Sequence, residues 1–267
     1  MQKIINAHCH IYPESVAERA VQGIADFYGI KIAANGRSDG LIREGEPFNV
    51  VHYLVHSVAT KPSQVRSINE FIASEVKAHP GLFTGFGTLH PDSEDIEGDF
   101  DQLIKLGLKG VKIHPDFQFF SLEEEKAIRL GSLVRDAGLP ILIHCGDFRF
   151  KLSNPDQFKV FIEALPGLKI IGAHLGGWSV WDEVEEKIAG RYDIMVDSCS
   201  SFRFMDKDQA VRLIRKFGAD KVLWGTDYPT WSHADELKLF GELDLTEEER
   251  ELILYENAAK LLQPGED

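Results

Sequence analysis

The sequence predicts a single (β/α)8 (TIM) barrel with an insertion after its first strand. Short apolar runs alternate with helix-period segments from end to end, in eight strand-plus-helix units. The length, 267 residues, is what one such barrel takes, at roughly 250 residues. No Gly-x-Gly-x-x-Gly or phosphate-loop motif follows any run, which argues against an open, doubly wound nucleotide-binding sheet.

In order, the strand-like runs are KIINAHCH from Lys3, NVVHYLVHSV from Asn49, LFTGFGTLH from Leu82 and KGVKIH from Lys109. PILIHCG from Pro140, LKIIGAHLGG from Leu168, YDIMVDSCS from Tyr192 and KVLWGTDYP from Lys221 complete them. Several are almost wholly apolar in their first half, as parallel strands covered on both faces are. Between them lie helical patterns such as the one from Leu122, where Ala127, Leu130, Leu133, Val134 and Ala137 recur at three- and four-residue steps. Ser121 followed by Glu124 reads as a capping box opening that helix, and Gly138-Leu139-Pro140 closes it. The stretch from Ile11 to Pro47 is longer than the other links. It holds a helix-like segment, Glu14 to Tyr28, and then polar, glycine-containing sequence. It is either a lid over the barrel mouth or an ordinary surface excursion. No repeat or Pro/Ser-rich linker marks a second domain, so the whole chain, 1–267, reads as one.

Composition narrows the function. Hydrophobic residues make up 43%, enough for a large core. The net charge of −14 repels phosphate backbones and anionic lipid, so the expected partner is a small-molecule substrate, not nucleic acid or a membrane. Three cysteines without a short-spaced pair form no disulfide framework or zinc ribbon. No leader-like or membrane-spanning run stands out, which sets cytoplasmic as the expected location, with a homodimer as the expected assembly.

In a barrel of this kind, reactive groups sit at the C-terminal ends of the strands. The first strand ends in His8-Cys9-His10, the fourth in Lys112-Ile113-His114, the fifth in His144-Cys145-Gly146, the sixth in His174-Leu175-Gly176-Gly177 and the eighth in Gly225-Thr226-Asp227. His8 and His10 are two apart, so both project to one strand face. With His144 and Asp227 they make a cation-binding cluster in which neutral imidazoles and one carboxylate leave a divalent ion net positive, able to acidify a water. Taken singly, each of these residues could be a buried histidine or a turn cap. Their joint placement at the ends of the strands is the stronger signal.

HCHIYP, GLKGVKIHP, LPILIHCG, GAHLGG and GTDYP, followed by a terminal ENAAKLL, closely resemble the amidohydrolase-related branch of the amidohydrolase superfamily, which includes the aminocarboxymuconate-semialdehyde decarboxylase group. The motifs run from His8 to Asn257. The resemblance implies one divalent metal, usually zinc, held by His8, His10, His144 and Asp227, with His174 off the metal and contacting its water. His174 or Asp227 then moves the proton. One departure is Asn6, where the family usually has Asp; strict alternation puts it on the same face as His8, one step deeper.

Lys112 either bridges a second metal, as a carboxylated lysine does in binuclear relatives, or is a buried cation paired with a carboxylate. His114 lies near the substrate or packs under the rim. Arg149 and Arg203, in loops on the active face, either fork a substrate carboxylate or are solvated. Trp178 lines the pocket or packs beneath it. Alternation turns Cys9 and Cys145 away from their histidine neighbours into the core. The expected activity is metal-dependent hydrolysis of a small molecule through a metal-activated water. The rival within enzymes is nonoxidative decarboxylation of an unsaturated or aromatic carboxylic acid, and the rival outside them is a noncatalytic metal- or metabolite-binding barrel.

Overall fold

The computed structural model describes residues 2–263. Among them, eight parallel strands form the expected barrel. The first strand is Ile4–His10, the second Val50–His56, and the third is split by Phe86 into Phe83–Gly85 and Gly87–Thr88. Val111–Ile113, Pro140–Ile143, Lys169–Gly172, Met195–Asp197 and Val222–Leu223 follow as the fourth to eighth. Each pairs with its sequence neighbours. At the split, Phe86 N donates to Val55 O and Gly87 N to Gly110 O, carrying the ladder from the second strand to the fourth. Between the eighth strand and the first, Ala7 N donates to Trp224 O (2.9 Å) and His10 N to Tyr228 O (2.7 Å), and Cys9 bridges Tyr228.

The barrel's lower interior is apolar: Ile5, Leu54, Phe86, Leu142, Ile171 and Leu223 pack together and against Ala258 of the last helix, Asn257–Leu262. The Asn257 side chain donates to Ala219 O (2.7 Å) and Val222 O (2.8 Å), which fixes this helix beneath the barrel floor. Cys9 and Cys145 lie in the larger core outside the strands, as alternation predicts.

Two expectations need correction. The helix after the fourth strand is Glu125–Asp136, capped at Glu124 and not at Ser121. Only one half of the box forms, Ser121 N to Glu124 Oε1 (2.7 Å), because residues 122–123 make a turn and the helix starts only after Glu124. The second correction concerns Asn6. The register of the first strand slips between Asn6 and Cys9, where three steps on this strand match two on the second. This is a β-bulge, which re-aims side chains. Asn6 therefore pairs with Tyr53 and turns outward. It donates to Thr226 Oγ1 (2.8 Å) and to His233 Nε2 (3.0 Å) on helix His233–Gly241, while its Oδ1 accepts from Thr226 N (3.1 Å). It ties the first strand to the loop that carries Asp227, and His8 and His10 still face inward together.

The insertion covers the mouth. Its first helix, Glu14–Tyr28, ends with Tyr28 Oη 3.2 Å from His114 Nε2, and Arg149 Nη1 donates to Phe27 O (2.7 Å). Its second helix, Ser38–Gly45, follows a turn whose Asn35 Oδ1 and Arg37 O both face Tyr228 Oη.

Candidate active site

Strand ends bring the polar cluster together above the apolar floor. His8 Nε2 and His10 Nε2 stand 3.3 Å apart, and Asp227 Oδ1 lies 3.4 Å from the first and 3.5 Å from the second. Four ligands at about 2.0–2.1 Å from a central ion have tetrahedral edges of roughly 3.3–3.4 Å, so this triangle has the size of one face of a zinc-type site. Gly225 makes the room: a Cβ there would come within 2.9 Å of His8 Cβ. Burial holds the pKa of His8, His10, His56, His114 and His144 well below the usual histidine value, which leaves them as the neutral form that ligates metals.

Asp197, at the end of the seventh strand, accepts from His8 Nδ1 at 2.7 Å. That bond fixes the tautomer and points the His8 Nε2 lone pair at the cluster. Asp197 also accepts from the backbone N of His174 (3.1 Å). Lys112, fully buried, places Nζ 3.4 Å from His8 Nε2; burial lowers its pKa, against the pull of Asp197 and Asp227. Burial pushes the Asp227 carboxyl up to about 7, although Ser200 Oγ donates to Oδ2 (2.6 Å) and Lys112 opposes the rise. His174, Ser200 and Asp227 all have φ between 54° and 61°, left-handed backbone that non-glycine residues rarely adopt. Three such residues in one site mark where strand geometry yields to side-chain placement.

His144 and His174 form a second pair, Nδ1 to Nε2, at 2.9 Å. The other nitrogen of each faces a carbonyl, Gly146 O at 3.1 Å for His144 and Cys199 O at 3.0 Å for His174. Which ring donates in this pair depends on the tautomers, since Cys199 Sγ also lies 3.3 Å from His174 Nδ1. Burial lowers the His174 pKa to about 4. His114 stacks on His144 with ring centroids 3.7 Å apart and on Phe117 at 3.9 Å, so it is built into the wall beneath Tyr28.

A cavity of about 420 Å³ opens above this cluster, lined by Tyr28, His144, His174, Trp178, Asp227 and Trp231 among others. Arg149 and Arg203 do not line it. Arg149 forks Asp147 through Nε (2.9 Å) and Nη2 (2.6 Å). Arg203 donates to the buried Glu236 (3.2 Å) and lies 3.9 Å over the Trp231 ring.

Three further residues belong to the cluster. His56 ends the second strand, lies edge-on to His8 and His10, and has both ring nitrogens buried without a partner. Asp197 ends the seventh strand. The same strand-end rule that singled out the other histidines would have found both. Tyr28 belongs to the insertion, and nothing local in the sequence aims it at His114.

The amidohydrolase family profile matches residues 5–263. No curated protein matches the chain. Among solved structures, a TIM-barrel protein of uncharacterised function from Bordetella bronchiseptica superposes with a TM-score of 0.80 at 17% identity, covering 98% of this chain and 99% of that one. A dihydroxybenzoic acid decarboxylase from a Polaromonas species, with bound manganese and the inhibitor 2-nitroresorcinol, gives 0.74 at 16% identity, over 98% and 97% of the two chains. A putative 2-pyrone-4,6-dicarboxylic acid hydrolase from Pseudomonas putida gives 0.69 at 17%, covering 100% of each. At such identities the superpositions establish the shared barrel, while the profile spans nearly the whole chain and the strand-end residues that carry the cluster: this protein belongs to the amidohydrolase family.

Proposed function

We propose that this protein is a metal-dependent hydrolase of a small, planar, largely apolar molecule. The observation that carries the reading is the triangle of His8, His10 and Asp227 donor atoms, 3.3–3.5 Å on a side, whose Asp227 corner lines an aromatic-walled cavity together with His144 and His174. His8, His10, Asp227 and His144 would hold one divalent ion, with zinc the match to the tetrahedral spacing. When bound, such an ion supplies Lewis acidity, polarising a substrate oxygen and making a water a usable nucleophile near neutral pH.

The chain's own residues supply the rest. Asp197 keeps His8 in the ligating tautomer. His174 sets Nδ1 against Cys199 O (3.0 Å) and Nε2 against His144 Nδ1 (2.9 Å), and it lines the cavity, where it would accept and return a proton at the substrate. Asp227, with Oδ2 held by Ser200, is the second proton carrier. Trp178 and Trp231 offer ring faces to a flat substrate. Tyr28, reaching in from the insertion, helps to exclude water. Lys112 is the buried counter-charge to Asp197 and Asp227, which favours one metal over a lysine-bridged pair.

A second reading, nonoxidative decarboxylation of an aryl acid, draws on the aromatic walls and on burial raising the Asp227 pKa to about 7, as suits a proton donor to carbon. Hydrolysis is preferred because both arginines on this face are already bound to the protein's own carboxylates. One experiment separates the two. The metal-loaded protein is offered neutral aryl amides, esters and lactones in ¹⁸O-water, and aryl carboxylates in D₂O with carbon dioxide detection. ¹⁸O in a product acid supports hydrolysis. Carbon dioxide release with deuterium on the ring carbon, and no ¹⁸O uptake, overturns it in favour of decarboxylation.

A further inference from the structure

The aromatic cavity is the smaller of two beside the cluster. A second, of about 630 Å³, lies between the insertion helix Glu14–Tyr28 and the helix Val65–Ala78, and His10 lines it. Its size falls within the range of sites that hold drug-sized ligands, about 300–1,000 Å³. One wall is a single face of the insertion helix, with Val16, Ala20, Gly23, Ile24 and Phe27 at three- and four-residue steps. An apolar face of that kind normally packs on the core, yet only Ala17 and Ile24 of this helix are buried. The opposite wall includes Val58, Ile68 and Phe71.

Gly23 sharpens the point. A glycine inside a helix costs roughly 1 kcal/mol against alanine, and here a Cβ would meet nothing within 4 Å. Neither a turn nor close packing calls for glycine at this position, which is exposed on the helix and lines the cavity. At the far end, Phe119 lines the cavity while 76% exposed, an apolar ring presented to solvent. His10 makes the floor continuous with the proposed metal centre: its Nε2 faces His8 and Asp227, and its Nδ1 is buried without a partner.

We infer that this cavity is a second substrate subsite and that it takes an aliphatic chain. The inference rests on the proposed hydrolase reading for the reacting end of the molecule. Both cavities carry aromatic rings, but this one adds the aliphatic groups of Val16, Ala20, Ile24, Val58 and Ile68 and the open Gly23, whereas Ile30 is the one aliphatic residue lining the other. The substrate class is then an amide or ester with a planar group on the Trp178 side and an aliphatic acyl chain on the Gly23 side, its carbonyl carbon between them. Hydrolysis adds water across the acyl C–N or C–O bond. The hydroxyl goes to the acyl carbon and the proton to the leaving amine or alcohol, with no oxidant or reductant required.

The test is fluorescence titration of dansyl-undecanoate into metal-free protein, which needs no turnover. Saturable binding is expected, weakened at least about tenfold by Gly23→Leu, whose side chain grows into the cavity, and also by Ser67→Leu from the opposite wall. Gly241→Leu, at another open helical glycine, is expected to leave it unchanged. In the metal-loaded protein, KM for aryl amides should fall as the acyl chain lengthens, and Gly23→Leu should abolish that trend while sparing acetyl substrates. No saturable binding, or equal binding in both cavity variants, overturns the subsite. Chain binding without any hydrolysis leaves the subsite standing and removes the hydrolase reading instead.

Discussion

The inward-facing side chains of a single set of strands change character halfway up the barrel. Low in the interior, Ile5, Leu54, Leu142 and Leu223 make a dry layer sealed by Ala258. Two to four residues further along the same chain segments stand His8, His56, His144 and Asp227, polar groups of which the three histidines are buried and Asp227 is partly so. The lower layer is satisfied by dispersion and the removal of apolar surface from water. The upper layer is not satisfied by the protein alone: among the described residues, His10 Nδ1 and both nitrogens of His56 have no partner. Stability is concentrated below and ligand demand above, and substitutions should separate the two.

The largest separation is expected from His8→Ala combined with His10→Ala. Metal per chain, by elemental analysis, should fall from about one to none, and turnover by at least about a thousandfold, since Lewis-acid stabilisation is worth several kcal/mol. Melting of the metal-free form should stay near that of the metal-free parent. A double variant that keeps its metal removes the upper layer as the metal centre. Next comes His174→Ala, expected to keep the metal and lose about 10²–10⁴ in kcat, the usual worth of a positioned acid–base group. Metal loss in this variant would make His174 a ligand.

Leu142→Ala probes the lower layer and is expected to show the opposite pattern. Chemical denaturation should report a loss of about 2–5 kcal/mol, with metal content unchanged. A large change in metal affinity there would break the division between the layers. The smallest effect concerns Glu236, outside both layers. Burial lifts its pKa from an ordinary 4.5 to about 7, against the pull of Arg203. The folded state then holds a proton that the unfolded chain releases, so this group's contribution to stability is full below pH 4.5 and is lost as pH rises toward 7. Glu236→Gln should flatten stability over that window, read from melting at several pH values, and an unchanged slope would assign the effect elsewhere.

Much of this arrangement was legible locally. Eight apolar runs with helix-period spacers specify a barrel because strand and helix periods are properties of adjacent residues. His8-Cys9-His10 specified two inward imidazoles because their own spacing is unaffected by what precedes them. Asn6 departs from strict alternation for the complementary reason. One extra residue in the first strand, set against the register of the second, reverses the face of everything before it, and no residue in KIINAHCH announces the slip.

The arginines make the same point at longer range. Arg149 and Arg203 sit in suitable loops, but Arg149 is forked onto Asp147, two residues away, and Arg203 gives its Nη2 to Glu236, 33 residues away. The tertiary structure also decided that Asp197 orients His8 across 189 residues, that Tyr28 descends onto His114, and that the insertion leaves two cavities beside the cluster. Sequence alone determined which elements form and which strand ends carry imidazole and carboxylate, because periodicity, caps and turns act within a few residues. Facing, pairing and enclosed space depend on register and on groups brought together from distant strands, so only the assembled tertiary structure could set them.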